Sequence, residues 1–461
     1  MSIAPIAPAE LPEGWLLTWY GDDFTGSAAV MDVLSFSGVP SVLFLGIPTP
    51  ELLANFAGYR ACGIASTARA QAPDWMEINL PPAFQVLSDL DAPLFHFKVC
   101  STFDSSPAIG SIGKAIDLAA PIIRSDWIPL LIGAPEIGRY QVFGNLFAVA
   151  NHVGYRLDRH PTMSRHPATP MDEADVRVHL AKQTARAIGL VDMIALGRGR
   201  AGDALAHERE AGMEIIALDV VDKQTLSECG RLIWDNRDGT RFAVGSQGVE
   251  YALIAYWRDR GWIDLPSASS RIGRAKRVVA VSGSCSHETA GQIRRAAEDG
   301  FKPIVIDACR ALDPDDWTSE IDRSVAEALK ALGDGRDPIL YTALGPDDPA
   351  VTAFNEATTG RDKQAINERV GSGLGQILKG VIKTAGPARV IVAGGDTSGH
   401  AAKALGIHAL TAIAPISPAA SVSRAHAEDR TIADLEIALK GGQMGTLDYF
   451  TKVREGHSAV G

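Results

Sequence analysis

The chain has no run of about 18 consecutive apolar residues, so no membrane-spanning helix is expected. It also lacks paired cysteines: Cys62, Cys100, Cys229, Cys285 and Cys309 are scattered, odd in number and without a C-x-x-C spacing. That argues against a disulfide framework or a zinc site and for a reducing, cytoplasmic setting. The first residues, M-S-I-A-P-I-A-P-A-E-L-P, hold no basic stretch ahead of an apolar one, so no secretory signal is expected. Positive charge is in short supply, with 44 Lys and Arg against 55 Asp and Glu and a net charge of -11. A nucleic-acid partner is therefore not expected, and an anionic small molecule would need locally gathered Arg and Lys.

Familiar catalytic signatures are missing as well. Gly113-Lys114 is followed by Ala115, which has no hydroxyl for magnesium, so there is no Walker-type phosphate loop. The H-R-D, D-F-G, G-x-S-x-G and H-E-x-x-H patterns are absent. Gly371-Ser372-Gly373-Leu374-Gly375 is a partial glycine fingerprint ahead of a helix, but no strand directly precedes it.

What is present is an ordinary globular composition, 461 residues at 46% hydrophobic and 21% charged, enough for two large α/β domains. Residues 16–20 read as a strand, 21–27 as a turn, the following residues to about 36 as a helix, and 41–45 as the next strand. This is how a parallel sheet begins. Further strands are expected at 61–65, 94–99, 127–134, 191–196, 214–220 and 241–244, and a helix beginning at Asp172. A Pro-, Ser- and Arg-rich stretch at 265–277 reads as a linker between an N-terminal domain, 1–264, and a C-terminal domain, 278–461. The pattern restarts with strands at 278–281, 303–307, 338–342 and 390–393. The expected fold is α/β, two domains, each a mainly parallel sheet flanked by helices.

Chemistry gathers at the ends of these strands, where open α/β sheets bind ligands. Asp22 and Asp23 follow the first; either one could instead cap the helix. Arg69 follows the third. Lys98 lies inside an apolar strand, where burial costs free energy unless an anion is near, and Cys100, Ser101 and Thr102 come next. A lysine with hydroxyls at a strand end suits a carboxylate or polyol; a snorkelling edge lysine is the plainer reading. Three Arg and two His lie within 156–166, either an anion-facing loop or a solvated connector. In the second half, V-I-V-A-G-G-D-T-S-G (390–399) runs from strand through a glycine turn into a helix, an arrangement that offers free N–H groups to an anion. Ser282-Gly283-Ser284-Cys285-Ser286 repeats that outline, and Gly441-Gly442-Gln443-Met444-Gly445 closes the series.

Together G-D-D-F-T-G (21–26), K-V-C-S-T-F-D-S (98–105), H-P-A-T-P-M (166–171), S-G-S-C-S (282–286), A-G-G-D-T-S-G (393–399) and L-K-G-G-Q-M-G (439–445) resemble the four-carbon acid sugar kinase family across nearly the whole chain. The resemblance implies ATP-dependent phosphorylation of a small sugar acid, of the threonate, erythronate, 3-oxo-tetronate or branched 3-oxo-isoapionate type. By that likeness Asp23 or Asp22 is the base, and Arg69, Lys98, Cys100, Ser101, Thr102 and His166 hold the acid. Ser284, Gly394, Gly395, Asp396, Thr397, Gly442 and Gly445 hold ATP, with Asp396 toward Mg²⁺. The two sites would have to meet, and a homodimer is left open. The chain departs from the family in Gly21 for the usual Ala, A-R-A (68–70) for S-R-S, Asp396 for Glu, and I-A-P-I-S-P (413–418) for I-A-P-G-V-P; P-E-I-G-R-Y (135–140) and the Arg/His-rich segment are also atypical. Two other readings are carried beside it: a NAD-dependent dehydrogenase, which would want an intact glycine fingerprint, and a non-catalytic sugar-acid sensor, which would not need a second anion-binding domain.

Overall fold

The computed structural model describes residues 10–456 apart from 151, 167, 265–271, 387 and 419. Most of the expected linker therefore lies outside the described residues. The chain divides into two compact units: among the described residues, 10–41 with 49–264 make the first, and 42–48 with 272–456 the second.

The strands of the first half are β1 (Leu17–Gly21), β2 (Ser41–Phe44), β3 (Ala61–Ala65), β4 (Leu94–Lys98), β5 (Ile128–Leu131), β6 (Arg139–Val142), β7 (Asn145–Ala150), β8 (Val153–Arg156), β9 (Ile188–Val191), β10 (Ile215–Leu218) and β11 (Phe242–Gly245). Seven of them form the parallel sheet of the first unit, in the order β3-β1-β4-β11-β5-β10-β9. Every residue of β1, β3 and β4 is buried, as expected when helices cover both faces. Tyr20, Phe84, Phe95 and Phe97 pack there, with the Tyr20 and Phe84 rings edge to face at 5.2 Å. The chain leaves β1 for β3 on one side and then crosses to β4 on the other, which makes the end of β1 a topological switch point. Strands β6, β7 and β8 form a small antiparallel sheet of their own.

The second half supplies β12 (Val278–Ser282), β13 (Lys302–Val305), β14 (Pro338–Tyr341), β15 (Arg389–Ala393), β16 (Ile407–Ser417), β17 (Ala420–Ala427) and β18 (Glu436–Lys440). In the second unit β13-β14-β12-β15-β18 run parallel, and β17 and β16 continue antiparallel. The outer neighbour of β16 is β2: Phe44, Leu43 and Val42 pair with Ala409, Leu410 and Thr411. Residues 42–48 thus belong to the second unit although they come early in the chain. Both expected sheets are present and mainly parallel.

Local expectations fail in three places. Residues 191–196 are not a strand: β9 ends at Val191, Asp192 accepts the Ala195 amide at 2.8 Å, and a helix runs over Met193–Gly197. An N-cap outweighs the apolar run there. Asp172 does not open a helix; Asp175 caps one at Val176–Leu180, with Glu173 accepting the Asp175 amide. Finally, residues 371–375 lie inside a 23-residue helix, Lys363–Ala385, rather than before one. Its glycines permit close packing, since a Cβ at Gly373 would sit 2.5 Å from Trp317 and one at Gly375 would sit 2.6 Å from the Ala401 carbonyl.

Candidate active site

The first unit builds its site at the switch point. Gly21, Ala65 and Lys98 stand at one level, as Gly21 pairs with both others across β1. The residues that follow each strand therefore converge. The Asp22 amide donates to the Lys98 carbonyl at 3.0 Å, and the Arg69 amide donates to the Asp22 carbonyl at 2.9 Å. Arg69 then turns its guanidinium on both aspartates. Nε and Nη2 reach Asp22 at 3.1 and 2.6 Å, and Nη2 reaches Asp23 at 2.7 Å.

Asp23 is also the N-cap of the helix Phe24–Ser35, the capping role the sequence left open. Its Oδ1 accepts the Gly26 amide at 3.0 Å and its Oδ2 accepts the Thr25 hydroxyl at 2.7 Å. Neighbouring Arg69 and Lys98 with these donors outweigh burial and hold its pKa below the usual carboxylate range. For Asp22, burial wins and raises the pKa against the pull of the Arg69 fork. Lys98 is 1% exposed and donates to the Val99 carbonyl at 2.7 Å. Its Nζ would lie 2.7 Å from a Cβ at Gly26, so glycine there lets the lysine approach the capped turn.

Beyond β4 the chain makes a tight turn in which Phe103 takes a positive φ of 55°, a costly conformation for an aromatic residue. The turn stacks polar groups: Cys100 Sγ lies 3.0 Å from Thr102 Oγ1, which donates to Asp104 at 2.7 Å. Ser101 is half-buried in the same turn. Burial pushes the Cys100 thiol up to about 11, so it is a neutral thiol and no nucleophile. His166 arrives from a distant loop and lies close enough to Asp104 to stabilise its charge. Of the Arg/His cluster, Arg156 pairs with Asp158 at the surface while His160 and His166 turn inward. Asp104 was missed by sequence reasoning; its signal was a carboxylate inside K-V-C-S-T-F-D-S.

In the second unit three glycine turns lie side by side, because β12, β15 and β18 are adjacent and in register: Ser282 pairs with Ala393, and Ala393 with Lys440. The glycines are required by contact. A Cβ at Gly283 would fall 2.4 Å from Thr397 Oγ1, one at Gly394 2.8 Å from the same atom, and one at Gly442 2.6 Å from Ser284 Oγ. Gly394 also holds φ at 127°, which favours glycine. The helices His287–Glu298 and Gly395–Leu405 start here and direct their amide ends at the turns. Asp396 is exposed in the first turn of the second helix. Gly445 instead packs against Tyr449, and Gln292 donates to its carbonyl at 3.0 Å. Beside the turns lies a cavity of about 280 Å³, walled by Thr342, Val351, Phe354, Lys363 and Asn367 among others. Gly283, Asp396 and Thr397 of the turns line it as well.

Lys440, also missed, is fully buried; Nζ donates to Thr289 Oγ1 at 2.8 Å, and burial lowers its pKa to about 8. Like Lys98 it ends an apolar strand, which was the legible signal. Thr289 and Ser286 both donate to the Gly442 carbonyl, at 2.7 and 2.6 Å, and so orient that turn. Among the described residues no group of three or more His, Cys, Asp or Glu could hold a metal without other ligands. No described helix is long and apolar enough to cross a membrane.

A family model described as a sugar-binding N-terminal domain matches residues 17–253, and one described as a nucleotide-binding C-terminal domain matches residues 279–450. The chain belongs to the four-carbon acid sugar kinase family. A 3-oxo-isoapionate kinase of Paraburkholderia graminis is 46% identical over 453 residues, 97% of this chain and 96% of that protein. A 3-oxo-tetronate kinase of Methylobacterium radiotolerans is 30% identical over 438 residues, 93% of this chain and 96% of its own. Two solved structures share the fold of this four-carbon acid sugar kinase relative. A Salmonella typhimurium protein has a TM-score of 0.76 at 23% identity over 95% of this chain and 98% of its own. A Haemophilus influenzae protein has 0.71 at 25%, with the same coverage.

Proposed function

We propose that this protein is an ATP-dependent kinase of a small sugar acid, with the branched five-carbon 3-oxo-isoapionate as its substrate rather than a tetronate. The kinase reading is carried by one observation: a lysine–arginine–aspartate site at the strand ends of one unit is matched by a three-turn glycine cradle at the strand ends of the other. The choice of substrate is supported by 46% identity to the 3-oxo-isoapionate kinase, against 30% to a 3-oxo-tetronate kinase.

In this reading Asp23 is the base. Its carboxylate is the more exposed of the pair, 20% against 6%, and Oδ2 keeps a lone pair beyond the Thr25 bond. A low pKa suits phosphoryl transfer, where the transition state is loose and the acceptor's proton leaves late. Asp22 holds Arg69 in place by its two-pronged contact. Lys98 offsets the paired negative charges. Thr102 and Ser101 offer hydroxyls to the sugar. In the second unit the amides of the first helical turn at 395–397 donate to phosphate oxygens, and Gly442 allows their close approach. Magnesium would be held by Asp396 and the nucleotide's own phosphates, and would neutralise charge on the transferred group.

The test is a coupled ADP-release assay across four- and five-carbon sugar acids, with 3-oxo-isoapionate expected to give the highest kcat/KM. Asp23→Asn is expected to lower kcat about 10²- to 10⁴-fold with KM for ATP unchanged. Full activity in both Asp23→Asn and Asp22→Asn would remove the base assignment. A sensor would bind the acid and release no ADP.

A further inference from the structure

In the arrangement described, Arg69 is already committed. Its guanidinium makes three contacts to Asp22 and Asp23, and Asp104 adds to the negative field around it. Lys98 is turned onto the Val99 carbonyl beside the same aspartates. Three carboxylates, Asp22, Asp23 and Asp104, thus surround two cations. The two histidines of the neighbouring loop are tied to backbone amides. His166 Nδ1 accepts the Thr169 amide at 3.2 Å, and His160 Nδ1 accepts the Thr162 and Met163 amides at 3.2 Å. An incoming sugar-acid carboxylate would meet a surplus of negative charge.

Arg139 answers that deficit. It opens β6, and its backbone exchanges two hydrogen bonds with Ala134, just past the end of β5, at 2.8 and 3.1 Å. It is therefore held at the carboxyl end of the first unit's sheet, where Asp22 and Lys98 also lie. Its side chain is half-buried, which lowers its pKa; Cys100 lies near enough to act on it, and it lies near enough to His160 to disfavour that imidazole's charge. Among the described residues it has no carboxylate partner. Nη1 donates only to the carbonyls of Ile137 and Gly138, at 3.3 and 3.2 Å, and Nε is buried with no acceptor. A guanidinium left without its anion beside an over-negative polar site is a built receptor for one. The segment that carries it, P-E-I-G-R-Y, is one of those that set this chain apart.

We propose that Arg139, and not Arg69, binds the carboxylate of the sugar acid, while Arg69 orders the two aspartates. This rests on the sugar-acid reading of the site.

The experiment compares wild type with Arg139→Ala, Arg139→Lys and Arg139→Gln, using 3-oxo-isoapionate, threonate and erythronate as acids and threitol and erythritol as carboxylate-free probes. Loss of a charged hydrogen bond is expected to raise KM for the acid about 10- to 100-fold, with kcat within about threefold and KM for ATP unchanged. The lysine variant should fall between, because it keeps charge without the fork. Discrimination between acid and polyol should shrink in step. Calorimetric titration of each acid into ATP-free protein, with melting curves as a folding control, separates this claim from the kinase reading. Arg139-dependent acid binding without ADP release would sustain the carboxylate site and remove the kinase. Unchanged acid affinity in well-folded Arg139→Gln overturns the proposal, and so does an equal rise in KM for acid and ATP. No acid binding by wild type would remove both.

Discussion

Two buried lysines end apolar strands in this protein, Lys98 as the last residue of β4 and Lys440 as the last of β18. Each donates to neutral oxygen acceptors, Lys98 to the Val99 carbonyl and Lys440 to Thr289 Oγ1. Burial lowers the Lys440 pKa to about 8, against 10.5 in the unfolded chain. Between those two values the unfolded chain binds a proton that the folded chain does not, so the lysine's contribution to stability falls as pH drops through that window. The difference in Tm between wild type and Lys440→Met is expected to shift against wild type from about pH 10 to about pH 8. Melting curves across that range check it; a constant difference would sink the assignment. Gly21 gives a second expectation. A Cβ there would lie 1.8 Å from Ser27 Oγ, so Gly21→Ala, the residue usual in the family, should destabilise by about 1–3 kcal/mol. Adding Ser27→Gly should restore most of it, a coupling that a double-mutant cycle measures.

The small β6-β7-β8 sheet depends on a clasp. Asp219, fully buried after β10, accepts the amides of Phe143 at 2.5 Å, Gly144 at 2.9 Å and Met193 at 3.1 Å. Gln141 adds a bond to the Leu218 carbonyl at 2.9 Å. Asp219→Asn would set an amide against those donors and is expected to cost about 1–3 kcal/mol. Hydrogen exchange should rise first at residues 143–146, and KM for the acid should follow, because β6 carries Arg139; exchange unchanged in that turn would rule out the clasp. The long helix Lys363–Ala385 shows why glycine patterns mislead. Its G-x-G-x-G answers to Trp317, His400 and Ala401 pressed against it, not to a phosphate.

Considered as an entire chain, the protein lends a piece of its N-terminal sequence to its second unit. Residues 42–44 complete the sheet alongside β16. A fragment of residues 268–461 would leave that edge of β16 open, and open edges associate. The fragment is expected to aggregate or self-associate, and to become monomeric when a peptide of residues 41–48 is added or fused. Sedimentation reads the outcome; a monomeric fragment without the peptide would show that the strand is dispensable.

The amino-acid order alone was enough for the α/β class and for both halves of the pattern, and it singled out many of the residues that the structure gathers at the strand ends of each unit. Those signals are local: apolar strands of five or so residues, turns of glycine and hydroxyls, carboxylates at strand ends. Neighbourhood across the sheet is not local. That β1 lies between β3 and β4, so that Arg69 closes on Asp22 and Asp23, follows from pairing among residues more than forty apart in sequence. The same holds for β2 joining the second unit and for Arg139 arriving at the carboxyl end of the first unit's sheet with no carboxylate partner among the described residues. Hydrogen bonds between strands and the burial of charge decide such partners, and both are settled only when distant segments meet.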